Sequence, residues 1–252
     1  VITCPEPSGL AGSCLGSGIN HNKFFLFSKL SDGSEKVVVQ SSANLTNPQI
    51  REFNNMVILR HDSQTFDAYM AYWEDMALDT MNLNYYWNAE SKTGTRVFFS
   101  PRNNGSGHTG VNDTVVELLD EVVRGPGTEI HVAMALWSDA RPEIARRLVA
   151  MKNAGCTVRV IVNQNSTGAQ IFQILEQGGV PVTRLEVVHS KYMLIKQDVG
   201  DFIEKIVVTG SHNYTSPALR SNDETLLLVK DPLLYNSFLQ DWNKMLAHPL
   251  AQ

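Results

Sequence analysis

The chain has 252 residues and a mass of 28.0 kDa, enough for one large domain or two small ones. Hydrophobic content of 43% against 19% charged residues is globular rather than disordered, and a net charge of −5 leaves no basic footprint for tight general nucleic-acid binding. No uninterrupted apolar run approaches the ~20 residues that span a bilayer, and no signal-peptide pattern opens the chain.

In chain order, "CPEPSGLAGSC" places Cys4 and Cys14 in a Gly/Ser/Pro-rich stretch that closes easily into a disulfide loop. "HNKFFLF", residues 21–27, reads as a strand led by a His-x-Lys pair, followed by a Gly/Asp-bearing turn and a second β-branched run, "KVVV". The polar stretch "SSANLTNP" is rich in capping residues, and "MVIL" closes the unit as a third strand. "MNLNYYWNAE", residues 81–90, reads as a linker whose Tyr85, Tyr86 and Trp87 pack between lobes.

Next, "TRVFFSP" is a strand candidate. "NDTVVELLDEVVRG" has helical spacing with Asn112 or Asp113 as cap, and "TEIHVAMALW" is a strand. "ARPEIARRLVAMKNAG" reads as a helix, "CTVRVIVN" as a strand with Cys156 a buried free thiol, and "GAQIFQILEQGG" as a helix. "NNGSGHTG", residues 103–110, reads as a flexible loop, and Trp137 is expected to end its strand as a plug or a cleft contact. His61, His108, His131, His212 and His248 read as surface, loop or core histidines.

"HSKYMLI", residues 189–195, then repeats the opening phrase, and the likeness runs on through two further strands. His21 aligns with His189, Lys23 with Lys191, Ser42 with Ser211, Asn44 with Asn213 and Asn55 with Glu224, with one residue of gap in the hairpin. On a strand, residues i and i+2 share a face, so each His projects beside its Lys. Two such half-sites around a pseudo-two-fold axis would gather two imidazoles, two cations and polar turns about one anion. Histidine titrates near neutrality and serves as nucleophile or proton donor, so the constellation suits phosphoryl transfer.

These residues resemble the phospholipase D superfamily, whose signature is His-x-Lys-x4-Asp followed by Gly-Ser-x-Asn. The resemblance implies catalytic His21, Lys23, His189 and Lys191, with Ser42, Asn44, Ser211 and Asn213 binding the phosphate. It implies support from Asn222 and Glu224, with Asn55 in the matching position of the first copy. By the same analogy His21 is the nucleophile and His189 the general acid, since the second copy alone offers a carboxylate. The motif Asp is replaced by Ser28 in one copy and Lys196 in the other, and Ser41 stands where the second copy has Gly210.

The resemblance implies an α/β, two-lobed phospholipase D-like fold with mainly parallel sheets flanked by helices and a pseudo-two-fold duplication. Residues 1–90 would be a partial first lobe and 91–252 a complete second one, with "VITC" the counterpart of "VIVN" at 160–163. The first lobe then lacks roughly its first 65 residues, which leaves an unpaired edge for another segment or chain to fill. The expected activity is metal-independent, cofactor-free hydrolysis of phospholipid, or transfer to an alcohol, through a phosphohistidine. The substrate would sit at a membrane or micelle surface. A nuclease and a non-catalytic phosphate binder are the alternatives; the acidic balance disfavours a stable nucleic-acid partner. The paired cysteines point to a secreted protein whose signal is absent from this sequence.

Overall fold

The repeated phrase folds twice into the same three-stranded antiparallel unit. In the computed structural model, which describes Cys4 and residues 12–104 and 110–252, the first unit comprises β1 (Phe24–Lys29), β2 (Glu35–Ser41) and β3 (Met56–Leu59). The helix α1 (Ser63–Ala77) follows, capped by the Asp62 carboxylate on Thr65 N. The second unit comprises β9 (Lys191–Val199), β10 (Phe202–Gly210) and β11 (Glu224–Lys230), with the short α5 (Ser216–Arg220) between the last two, and α6 (Pro232–Leu246) follows it in turn, capped by Asp231. The buried stripe Phe66, Tyr69, Tyr72, Met76 on α1 has its counterpart in Tyr235, Phe238, Trp242, Met245 on α6. The duplication therefore extends through these helices, which the sequence reading left unassigned.

Between the units lie β4 (Trp87–Glu90), β5 (Arg96–Ser100), α2 (Thr114–Asp120), β6 (Glu129–Met134), α3 (Pro142–Asn153), β7 (Thr157–Val162), α4 (Ala169–Gln177) and β8 (Val182–Arg184). They join the second unit in an eight-stranded sheet of order β4-β5-β11-β10-β9-β6-β7-β8. The α/β class and the helical flanks match the expectation; the strand sense corrects it. Only β6-β7 and β7-β8 are parallel, and every other pair is antiparallel. The reason is the connection length. α3 and α4 provide the crossovers that parallel pairing needs, whereas β9 and β10 are joined by a tight turn that admits only antiparallel pairing.

Two cores follow from the alternation of side chains across the sheet. One face packs on α2, α3 and α4 through residues such as Val116, Leu119, Ile144, Leu148, Met193 and Leu226. The other face meets α6, α1 and the first unit, through Tyr69, Tyr72, Phe99, Tyr192, Leu227 and Trp242. Of the three linker aromatics, Tyr85 and Trp87 pack in that second core, with Trp87 4.7 Å from Phe99 between ring centroids, and Tyr86 packs against the first core. Trp137 is a plug: it is fully buried, stacks edge-on against Tyr214 and donates its indole N–H to Arg141 O. Cys4 and Cys14 are disulfide-bonded, and Cys156 is a buried free thiol. Residues 1–3, the "VIT" of the proposed strand, and 105–109, with His108 and most of the glycine-rich loop, lie outside the described residues.

Candidate functional site

Where the two units meet, each motif docks on the third strand of the other copy. His21 N donates to Asp223 O and Asp223 N to Ile19 O; in the other half, His189 N donates to Phe53 O and Phe53 N to Val187 O. These short parallel bridges, Asn20 with Asp223 and Val188 with Phe53, fix the two histidines on one seam.

The imidazoles then receive different partners. His21 Nδ1 lies 2.8 Å from Glu224 Oε1 and 2.9 Å from Oε2. His189 Nδ1 lies 2.9 Å from the Asn54 side-chain oxygen. Asn54, rather than Asn55, is thus the counterpart of Glu224. The turn serines confirm that register: Ser211 Oγ donates to Glu224 Oε2 and accepts from Thr225 N, while Ser42 Oγ donates to Asn54 Oδ1 and accepts from Asn55 N. A second one-residue offset, between Asn44 and β3, separates the copies. Asn55 instead accepts from Lys191 N and donates to Thr209 Oγ1, which braces the start of β9.

Ser42 and Ser211, expected at the phosphate, are both fully buried, with their hydroxyls engaged in those struts. The cause is local: each serine lies just past a strand end, where a backbone N–H of the neighbouring strand needs an acceptor. Asn44 is exposed and Asn213 half-buried on the same turns. Asn222 donates to Glu224 Oε1 at 3.3 Å and accepts from Ile19 N.

The two lysines converge with the histidines. Lys191 Nζ donates to His189 O and Ser42 O and lies 3.2 Å from His189 Nδ1; Lys23 Nζ donates to His21 O. Burial pushes Lys191 down to about 7 and Lys23 to about 8, Lys191 further lowered by the charge of Lys23. Burial, then Lys191, Lys23 and His21, push His189 down to about 3. Burial alone would raise Glu224, yet the hydrogen bond and charge of His21, with His212 and Ser211, hold it below the usual carboxylate range. The result is a desolvated seam with surplus positive charge and one carboxylate, which is electrostatically an anion site.

Three groups that the sequence reading did not use frame this seam. Asp223, next to Glu224, accepts from Ser13 Oγ and from the backbone of Cys14, Leu15 and Gly16, tying the disulfide segment to the motif. Arg141 is fully buried, donates twice to Asp113, which also caps α2, and donates to Asn213 O. His212, read as a bystander, lies buried with Nδ1 3.5 Å from Arg141 Nη1, and burial, then Arg141, push it down to about 3. Ser28 and Lys196, at the replaced motif positions, lie out on the hairpins; Lys196 pairs with Glu129. Neither Asp32, which accepts from Ser34 N in its turn, nor exposed Asp198 takes over an imidazole.

The sequence profile of the family described as "Cardiolipin synthase, PLD-like domain" matches residues 121–246, half of the chain. The chain belongs to the phospholipase D superfamily. Among its relatives, a phospholipase D of Rickettsia prowazekii is 23% identical over 175 residues, covering 67% of this chain and 76% of that protein. A mitochondrial cardiolipin hydrolase of Xenopus tropicalis is 31% identical over 114 residues, covering 44% of this chain and 52% of its own length. The chain spans about half the length of the cardiolipin hydrolases it matches. In fold it is similar to the phosphatidylserine synthase of Haemophilus influenzae, at a TM-score of 0.60 and 15% identity over 93% of this chain and 63% of that one. The phospholipase D superfamily is one of phosphodiesterases, and its fold carries the seam described above.

Burial of this phospholipase D seam predicts acid sensitivity. His189 and His212 fold with values near 3 against an ordinary 6.5, so the unfolded chain binds their protons first. Stability is then complete above pH ~6.5 and falls as pH drops toward 3, by about 1.4 kcal/mol per pH unit for fully buried His212. Urea unfolding from pH 7 to pH 4 measures the slope, and His212→Asn should flatten it. An unchanged slope in that variant would contradict the assignment.

Proposed function

We propose that the chain is a phosphodiesterase acting on phospholipid, with His21 as nucleophile and His189 as general acid. The observation that carries this reading is the asymmetry of the two imidazole supports: a carboxylate at His21 Nδ1 and an amide at His189 Nδ1. When His21 Nε2 bonds to phosphorus, the ring gains positive charge, and Glu224 at Nδ1 stabilises it. The phosphorus–oxygen bond to the headgroup alcohol breaks, and His189 gives that oxygen its proton. Water then attacks the phosphohistidine, His189 takes the proton from the water, and His21 leaves.

Lys23 and Lys191 hold the non-bridging oxygens as point charges and offset the phosphate's negative charge. Burial lowers His189 most, and the charges of Lys191, Lys23 and His21 lower it further; an anion bound there offsets the charge part, so substrate binding favours the protonated acid. Lipid is favoured over nucleic acid by the net charge of −5, and by relatives named phospholipase D and cardiolipin hydrolase. The Cys4–Cys14 bond suits an oxidising compartment, so we place the protein outside the reducing cytosol.

Choline release from phosphatidylcholine vesicles in the presence of a chelator tests the reading, with single-stranded DNA cleavage assayed in parallel. Turnover of lipid and not DNA is expected. DNA cleavage without lipid turnover would move the site to the nuclease reading, and anion binding without either would leave a non-catalytic binder. A variant tests the role of the amide. Asn54→Asp places a carboxylate on His189, raises its affinity for a proton, and should move the alkaline limb of the kcat profile upward by about one pH unit. An unmoved limb would remove His189 as the acid.

A further inference from the structure

The two histidines dock alike but are not braced alike. His21 N donates to Asp223 O and His189 N to Phe53 O, so Phe53 stands where the second unit has Asp223. Phe53 packs edge-on against His248 and offers no polar side chain. Asp223 is fully buried, and its carboxylate accepts from Ser13 Oγ and from the backbone N–H groups of Cys14, Leu15 and Gly16. Burial raises Asp223 above the usual carboxylate range, and those four donors oppose the rise.

The segment that supplies those donors leads straight into the motif. Gly18 N donates to Ser221 O, Ile19 N to the Asn222 side chain, and Asn20 bridges to Asp223, so residues 221–223 hold the chain from Ser13 to His21. Glycine is required twice for that close approach. A Cβ on Gly16 would lie 1.8 Å from Ser221 O, and one on Gly18 2.2 Å from Asn222 Oδ1. The disulfide clasps the same place. Cys14 is buried on Asp223, and its partner Cys4 accepts from the side chain of Asn20, the residue before His21, at 3.5 Å.

We infer that Asp223 is a positioning residue for His21, acting through residues 13–16, and that the Cys4–Cys14 bond keeps those residues on its carboxylate. This assignment rests on the reading of His21 as the nucleophile, and it makes the placement of that nucleophile redox-dependent. A dithiol reductant supplies two electrons and two protons, converts the sulfur–sulfur bond to two thiols and itself closes into a disulfide. The freed segment regains the conformational freedom that the bond had removed. Asp223 then loses its donors, and His21 loses its register against Glu224. The His189 half, with Phe53 in place of Asp223, has no such dependence. A chain with reduced cysteines would carry every motif residue and still turn over slowly, which confines full activity to an oxidising compartment.

Carbethoxylation by diethyl pyrocarbonate, mapped by mass at each histidine, tests this without turnover, with exposed His61 as internal reference. The samples are the native chain, the chain reduced with dithiothreitol and freed of it under argon, the same chain reoxidised, the double variant Cys4→Ser with Cys14→Ser, and Gly16→Ala. Reduction should raise the His21 rate at least about threefold and leave His189 unchanged, and reoxidation should reverse the rise. Both variants should match the reduced chain, and the double variant should not respond to reductant. In choline release, reduction should lower kcat about tenfold or more with KM unchanged. Equal His21 rates in the oxidised and reduced chains would overturn the assignment. A parallel rise at His189 would overturn it as well, since that is general loosening. A native chain without turnover would remove the phosphodiesterase reading, while the His21 and His189 rates would still decide whether Asp223 and the disulfide place His21.

Discussion

His21→Ala and His189→Ala are each expected to abolish phosphodiester turnover while leaving the fold intact. The two side chains lie on opposite units, yet each docks on the third strand of the other copy, so removing either disables the whole site. Loss of the nucleophile removes the covalent route altogether. Loss of the general acid leaves the alkoxide to depart unprotonated, which costs on the order of 10²- to 10⁴-fold. Because the effects belong to one reaction sequence, the double variant should be no worse than His21→Ala. Both imidazoles are partly exposed, so thermal unfolding should change little. Steady-state choline release separates the outcomes. Full activity in either single variant would mean that the two copies do not share a site.

Arg141→Met is expected to destabilise the protein by about 3–5 kcal/mol, because it strands the fully buried Asp113 carboxylate without its cation. Coulomb attraction from Arg141 and its hydrogen bonds hold Asp113 below the usual carboxylate range against the opposing effect of burial. Adding Asp113→Asn should recover much of the loss: the amide oxygen can still accept from Val115 N and Val116 N at the start of α2, and no charge remains buried. Urea midpoints of the single and double variants measure the difference. Equal midpoints for Arg141→Met and the native chain would mean that water reaches the pair.

The repeated His-x-Lys phrase was legible because strand periodicity and turn chemistry are local, and two copies of one spacing reinforce each other. The hairpin strands, α2 with its cap narrowed to Asn112 or Asp113, α3 and α4 were read from the same local signals. What escaped is set by contacts between distant segments. The second one-residue offset, which makes Asn54 the partner of His189, leaves no trace in the alignment, since Asn54 and Asn55 are the same residue type. The struts that Ser42 and Ser211 make were not legible either, because a hydroxyl after a strand can turn either way and its partner is a backbone N–H of a neighbouring strand. Arg141 and Asp223 carry no motif of their own, although the acidic pair Asp223-Glu224 was a signal that the first carboxylate also had a task. The antiparallel share of the sheet was written in the short β9–β10 turn.

The most direct test of a shared two-histidine site is to quench turnover of phosphatidylcholine in acid-free denaturant and map covalent adducts by mass. The account predicts a phosphatidyl group on the His21 peptide, present in the native chain, absent from His21→Ala and lost on mild acid treatment. Steady turnover with no adduct at His21, or an adduct mapped to His189, would contradict it.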